Sequence, residues 1–150
     1  MSAAPPTPGL YSRLLLVVDL TEDSRVIGAR ARAIAAACGA EVHLLHVVEY
    51  VPVEPLGETL LPTVEIEEEL VRRAGERLRE LATQLGLAGA ECRVEAGNIK
   101  AEIVRVATEL QADLIVLGGR ERHGLSILVN LTEDTVLHAA PCDVLVVRIR

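Results

Sequence analysis

Aromatic side chains are almost missing from this chain of 150 residues, which has two Tyr, no Phe and no Trp. Bases therefore find no platform to stack on. The charge balance points the same way, because 15 Lys and Arg against 22 Asp and Glu leave a net charge of −7. Neutralising a phosphate backbone needs a basic face, so nucleic acid is excluded as a partner. The core has to come from Val, Leu, Ile and Ala. With half the chain apolar, there is enough of these for one domain.

Cysteine is scarce as well. Cys38, Cys92 and Cys142 fit neither a CxxC metal pattern nor an even disulfide framework, and read as small buried thiols in a reducing compartment. No apolar run approaches the roughly 18 residues of a membrane span, which excludes the membrane as a partner. The segment Met1–Arg13 has no basic n-region and no apolar h-region, so it is not a signal peptide. Its Ala, Pro and Thr predict a disordered leader over residues 1–12, ahead of a single domain over 13–150. The expected location is cytoplasmic.

What is present alternates. Arg13–Val18 is a continuous aliphatic run, the mark of a strand covered on both faces. Thr21, Asp23 and Ser24 supply helix-start chemistry, and the helix runs to a stop at Gly39. Glu41–Val48 is a second strand. Three prolines and Gly57 make residues 49–62 a loop. A long helix over about 64–85 carries Ile66, Leu70, Ala74, Leu78, Leu81 and Leu85 on one stripe, with Glu68–Arg72 and Glu69–Arg73 pairs opposite. A short strand over Cys92–Ala96 follows. Asn98 then caps a helix bearing Ile99, Ile103, Val106, Ala107 and Leu110. Asp113–Leu117 is the fourth strand, Leu131–Ala139 a short helix, and Cys142–Ile149 the last strand.

This β-α-β-α-β-α-β-α-β order predicts an α/β fold, a doubly wound five-stranded parallel sheet with helices on both faces and strand order 3-2-1-4-5. Ligands of such sheets sit beyond the carboxyl ends of the strands, where the winding reverses. Asp19 closes the first strand there. The fourth strand is expected to break at Gly118-Gly119 into the charged loop Arg120–His123, a strand–glycine–loop arrangement suited to holding phosphate.

Four segments, LLLVVDLTEDS (Leu14–Ser24), GAEVHLLHVVE (Gly39–Glu49), ADLIVLGGRERHGLS (Ala112–Ser126) and HAAPCDVLVV (His138–Val147), occur in order and at a characteristic spacing. With them the chain resembles the universal stress protein family from Arg13 to Arg148. The resemblance implies an adenine nucleotide alpha hydrolase-like fold and a cytoplasmic stress-response protein that often dimerises. Nucleotide-binding members carry G-x2-G-x9-G-[ST] after the fourth strand, where glycine amides wrap phosphate through φ > 0. Gly118 matches the first glycine of that motif, and Gly119 follows it. Glu121 stands at the second, adding a carboxylate where phosphate would lie. Asn130 and Leu131 stand at the last pair, with the intervening segment one residue shorter.

The resemblance also places Asp19 near a ribose and the backbone of Val47 at adenine, with Arg120, Arg122 and His123 as cationic partners of phosphate. VDLTEDS with a degraded glycine loop resembles the UspA-like branch, whose members generally do not bind ATP. The expectation is a non-catalytic module without a cofactor. The alternative is a switch that binds ATP with Mg and hydrolyses it slowly or not at all. Asp19 also has a purely structural reading, as a cap of its own turn.

Other polar residues carry less. Ser126 and His123 form no G-x-S-x-G elbow, and no catalytic constellation emerges. His43 and His46 lie off a single alternation face and are expected to be strand residues with satisfied ring nitrogens, not metal ligands. The last strand is an apolar edge without proline or inward charge. Such edges usually have a partner, so a homodimer through antiparallel pairing of residues 143–149 is expected.

Overall fold

A computed structural model describes residues 9–49, 63–120 and 136–149, with the backbone alone described at 63–65 and 120. Eight elements are laid down in chain order: β1 (Arg13–Val17), α1 (Ser24–Cys38), β2 (Glu41–Val48), α2 (Thr63–Gln84), β3 (Glu91–Ala96), α3 (Ile99–Leu110), β4 (Leu114–Arg120) and β5 (Asp143–Ile149). The strands form one sheet in the order β3-β2-β1-β4-β5, and every pairing is parallel. The topology agrees with the one expected from the alternation of elements.

Continuous aliphatic runs make this sheet possible because successive side chains leave on opposite faces. Leu14, Leu16, Val42, Leu44, Leu114 and Val116 face α1 and α2, joining Ile27, Ala31, Leu78 and Leu81 in one buried cluster. Leu15, Val17, Leu45, Val47, Ile115 and Leu117 face the other way, onto Ile103, Val106 and Ala107 of α3 and Val136 of the helical turn at 136–139. Both faces of the central strands are thus covered. None of the described helices is long and apolar enough to cross a membrane.

Local signals explain the helix ends. Gly39 takes φ 67° and returns its N–H to the Ala35 carbonyl, ending α1, which glycine does at no steric cost. At α3 the Asn98 side-chain oxygen accepts from the Ala101 N–H at 3.0 Å. At the amino ends of the strands, the Asp113 carboxylate accepts from the backbone N–H groups of Ser12 (2.7 Å) and Arg13 (2.9 Å). This charge-assisted clamp fixes β1 against β4.

Three local expectations are corrected. Ile66 and Leu70 continue the α2 stripe but are 50 and 41 % exposed; burial starts at Ala74, where α2 lies over the sheet. Glu68–Arg72 does not form. Arg72 instead spans Glu69 and Glu76 at 2.7 Å each, and Arg73 meets Glu69 at 2.9 Å, so Glu69 takes both arginines in one turn. The ring nitrogens of His46 and His43 also differ. His46 Nδ1 lies 2.8 Å from the Val18 carbonyl. Those of buried His43 lie 3.4 and 3.1 Å from Glu41 and Glu91 without lining up a hydrogen bond with either.

Because one Asn98 hydrogen bond closes the first turn of α3, Asn98→Ala should lower the unfolding free energy by about 1 kcal/mol. Urea denaturation checks this. The midpoint should fall while the slope stays unchanged.

Candidate functional site

Asp19 follows β1 at its carboxyl end, Val47 lies near the end of β2, and Gly118 lies in the last half of β4. With the order β2-β1-β4, these three positions come from adjacent strands at the reversal of winding. The strand order thus brings these three positions to one end of the sheet, as expected from topology, and the chemistry there depends on what each residue is already doing.

Asp19 is engaged by its own loop. One carboxylate oxygen, Oδ1, accepts from the Thr21 N–H at 3.0 Å, the Thr21 hydroxyl at 2.7 Å and the Ser24 hydroxyl at 3.1 Å. Ser24 is the first residue of α1 and is 1 % exposed. Asp19 thus ties its own loop to the first residue of α1 through the Ser24 hydroxyl, while Asp23 at the N-cap makes no side-chain capping hydrogen bond. Burial pushes its carboxyl up, but the bonds from Thr21 and Ser24 outweigh this and hold it below the ordinary carboxylate value. Oδ2 accepts no hydrogen bond among the described residues.

Between Asp19 and Thr21, Leu20 takes φ 63°, a left-handed conformation that is rare for a bulky residue. Its carbonyl accepts from the Arg77 guanidinium of α2 at 2.6 Å. That brace spans 57 residues of sequence, so no local pattern signals it. Ser24 was open to detection through the D-x-T-x-x-S spacing. Beside this loop, Leu20, Thr21, Ser24, Arg25, Arg77 and Gln84 line part of an open groove of about 610 Å³ between α1 and α2.

The glycine pair departs most from expectation. β4 does not break at Gly118-Gly119 but continues through Arg120, because β5 stands in register opposite it: Gly118 with Val147, Gly119 with Arg148, Arg120 with Ile149. Neither glycine takes a positive φ. Gly118 is required for another reason. A Cβ there would press into Ile27 of α1, with Cγ1 only 3.1 Å away. Ile27 is itself buried. The absent side chain lets the first turn of α1 rest on β4.

Val47 has its side chain buried in the α3-side cluster, which leaves only its backbone for a ligand. Arg122 and Asn130 lie outside the described residues, as does the side chain of Arg120. Burial pushes the Cys92 and Cys142 thiols up, the direction of an unreactive cysteine. Among the described residues, no group of three His, Cys, Asp or Glu side chains is placed to hold a metal ion.

A doubly wound five-stranded parallel sheet in the order β3-β2-β1-β4-β5 defines the adenine nucleotide alpha hydrolase-like α/β fold. The profile of the universal stress protein family matches residues 10–148, and the chain belongs to that family. Universal stress protein A homolog 2 of Coxiella burnetii is 33% identical over 141 residues, covering 93% of this chain and 97% of that one. Among solved structures, universal stress protein UspA from Lactobacillus plantarum superposes with a TM-score of 0.73 at 24% identity, over 92% of this chain and 98% of that one. A universal stress protein in complex with cAMP gives 0.68 at 23% identity, over 91 and 97%.

Two substitutions separate structural duty from ligand duty. Gly118→Ala overpacks the Ile27 contact and should cost about 1–3 kcal/mol in ligand-free protein. Asp19→Ala should cost about 1 kcal/mol near neutral pH. Because the folded carboxyl titrates below its ordinary value of 3.8, its contribution is complete above that pH. It is lost as pH falls through the lower folded value. Denaturation curves of wild type and Asp19→Ala should therefore converge in acid. A gap that persists or widens there would contradict this account of Asp19.

Proposed function

We propose that this universal stress protein works as a non-catalytic, dimeric module of the cytoplasmic stress response, and that its switch-point crevice has lost nucleotide binding. The observation that carries the reading is the continuation of β4 through Gly118 and Gly119, paired along β5. Amides that wrap phosphate have to leave the strand and take φ > 0, and these two glycines do neither. The sequence adds Glu121 in place of the second motif glycine, a carboxylate that repels phosphate. Asp19 is employed in closing its own turn. No cofactor is needed in this reading.

Dimerisation follows from the sheet. Among the described residues β5 ends the strand order with β4 on one side only, and its DVLVVRI sequence carries no proline and no inward charge to block pairing. An isologous dimer by antiparallel pairing of residues 143–149 removes that edge.

A second reading, an adenine-nucleotide switch binding ATP with Mg, is favoured by one observation. The family resemblance puts Asp19 near a ribose, its Oδ2 accepts no hydrogen bond among the described residues, and a structural neighbour of this chain forms a complex with cAMP. In that reading Arg120, Arg122 and Asn130 join Asp19, Val47, Gly118 and Gly119 in holding the ligand.

Native mass spectrometry of the purified protein distinguishes the two. The proposal predicts a species of twice 16.1 kDa with no mass added by adenine nucleotide. A monomer at micromolar concentration contradicts the dimer, and a stoichiometric nucleotide adduct contradicts the empty crevice.

A further inference from the structure

The outward face of α1 is unlike the rest of this acidic surface. Its exposed positions are Arg25, Val26, Ala29, Arg30, Arg32, Ala33, and the alanines at 36 and 37. Every one is either apolar or arginine, and α1 contains no Asp or Glu at all. Five arginines elsewhere are neutralised, whereas Arg77 binds the Leu20 carbonyl and Arg79 and Arg148 make no ion pair among the described residues. Arg13, Arg72, Arg73, Arg93 and Arg105 each meet a carboxylate within 3.3 Å. Among the described residues, no ion pair or hydrogen bond engages the guanidinium groups of Arg25, Arg30 or Arg32. Three uncompensated cations on one helix of a chain with net charge −7 repel one another at a cost that an anionic partner removes.

The shape matches the charge. Ala29, Ala33 and Ala36, with Leu85 after α2, floor a shallow groove of about 400 Å³ whose only charged lining residue is Arg32. On the crest of α1, Arg25, Val26, Ala29, Arg30 and Ala33 bound a second hollow of about 490 Å³. Val26 is 54 % exposed in the middle of this surface. Alanines allow another helix axis to come near the lower end of the usual 8–10 Å separation. Guanidinium groups at the rim match carboxylates with two parallel hydrogen bonds. Glu22 and Glu80 line the neighbouring groove at the Arg25 end, so the pull on an anion is weakest beside Arg25 and strongest at Arg30 and Arg32.

We infer that this face of α1 is a docking surface for an acidic amphipathic helix of a partner protein. The partner lays small and aliphatic residues on Val26, Ala29 and Ala33 and sets carboxylates against Arg25, Arg30 and Arg32. This is helix-in-groove recognition, with the apolar floor supplying affinity and the arginines fixing orientation and selecting against basic helices. The surface lies on the α1 side of the molecule and does not require the switch-point crevice to be filled or empty.

The test uses the full chain and a fluorescein-labelled helical peptide of about 20 residues, with Leu and Ala on one face and Glu on the other. A counterpart with Lys for every Glu serves as control. Anisotropy should show saturable binding of the Glu peptide and none of the Lys peptide, with binding weakened about tenfold between about 50 and 300 mM salt. R25E/R30E/R32E should weaken binding at least about tenfold. Ala33→Trp should do so too, because it fills the floor without changing charge. Both variants alter exposed positions, and unchanged thermal melts confirm their folding. No binding of the Glu peptide overturns the proposal, as does equal binding by the arginine variant. Loss in that variant but not in Ala33→Trp also overturns it, since the attraction is then a diffuse field. So does partition of the protein onto phosphatidylserine vesicles in preference to the peptide, which makes the face a membrane contact.

Discussion

The contact of Ile27 with Gly118 ties the two halves of this fold together. α1 crosses from β1 to β2, and β4 is the first strand laid down after the winding reverses. The two meet where glycine leaves room for a buried isoleucine. Through that contact α1 sits low over the sheet, its first residue Ser24 falls within reach of Asp19, and the β1–α1 loop is drawn tight. Arg77 then braces the loop from α2 through the Leu20 carbonyl. Glycine here leaves room for the buried Ile27 side chain, a packing role that needs no ligand.

The same contact changes the meaning of the crevice. Asp19 and Gly118 are the two positions that a nucleotide-binding reading relies on most. Each has a sufficient structural duty in the absence of ligand: Asp19 as the acceptor of three hydrogen bonds, Gly118 as the floor under α1. Their presence is therefore weak support for binding. The departures from the motif at Glu121, Asn130 and Leu131 are departures of sequence at the positions where glycine amides would wrap phosphate, and they weigh correspondingly more. Topology sets a switch point between β1 and β4, the position where ligands of such sheets sit. Whether a ligand is held there depends on backbone amides after β4.

The architecture was legible because its signals are local and periodic. Glu41–Val48 was read with its observed limits, since Gly39 ends the helix before it and the aliphatic run is uninterrupted. Asn98 was found by cap chemistry alone. The failures are non-local. Nothing near Gly118 shows that Val147, Arg148 and Ile149 stand opposite and carry the strand onward. The periodicity of α2 places Ile66 and Leu70 on the same stripe as Leu78 and Leu81 but cannot tell where the sheet beneath it stops, and these two are half exposed. His43 was expected to satisfy its ring nitrogens, but its nearest carboxylates arrive from β2 and from neighbouring β3 at angles that the sequence does not encode. The Arg77 brace joins positions from different elements and leaves no pattern in either. Of the candidate ligand residues, Asp19, Val47 and Gly118 are brought to the crevice by adjacent strands. Arg122, Asn130 and the Arg120 side chain lie outside the described residues.

The central proposal is that the switch point between β1 and β4 no longer holds a nucleotide. Isothermal titration of the purified wild-type protein with Mg-ATP tests it most directly. The account predicts only heat of dilution up to millimolar nucleotide, on the order of the weakest specific binding (Kd of about 1 mM). A saturable isotherm with one nucleotide per chain would contradict it and return the crevice to service as a nucleotide site.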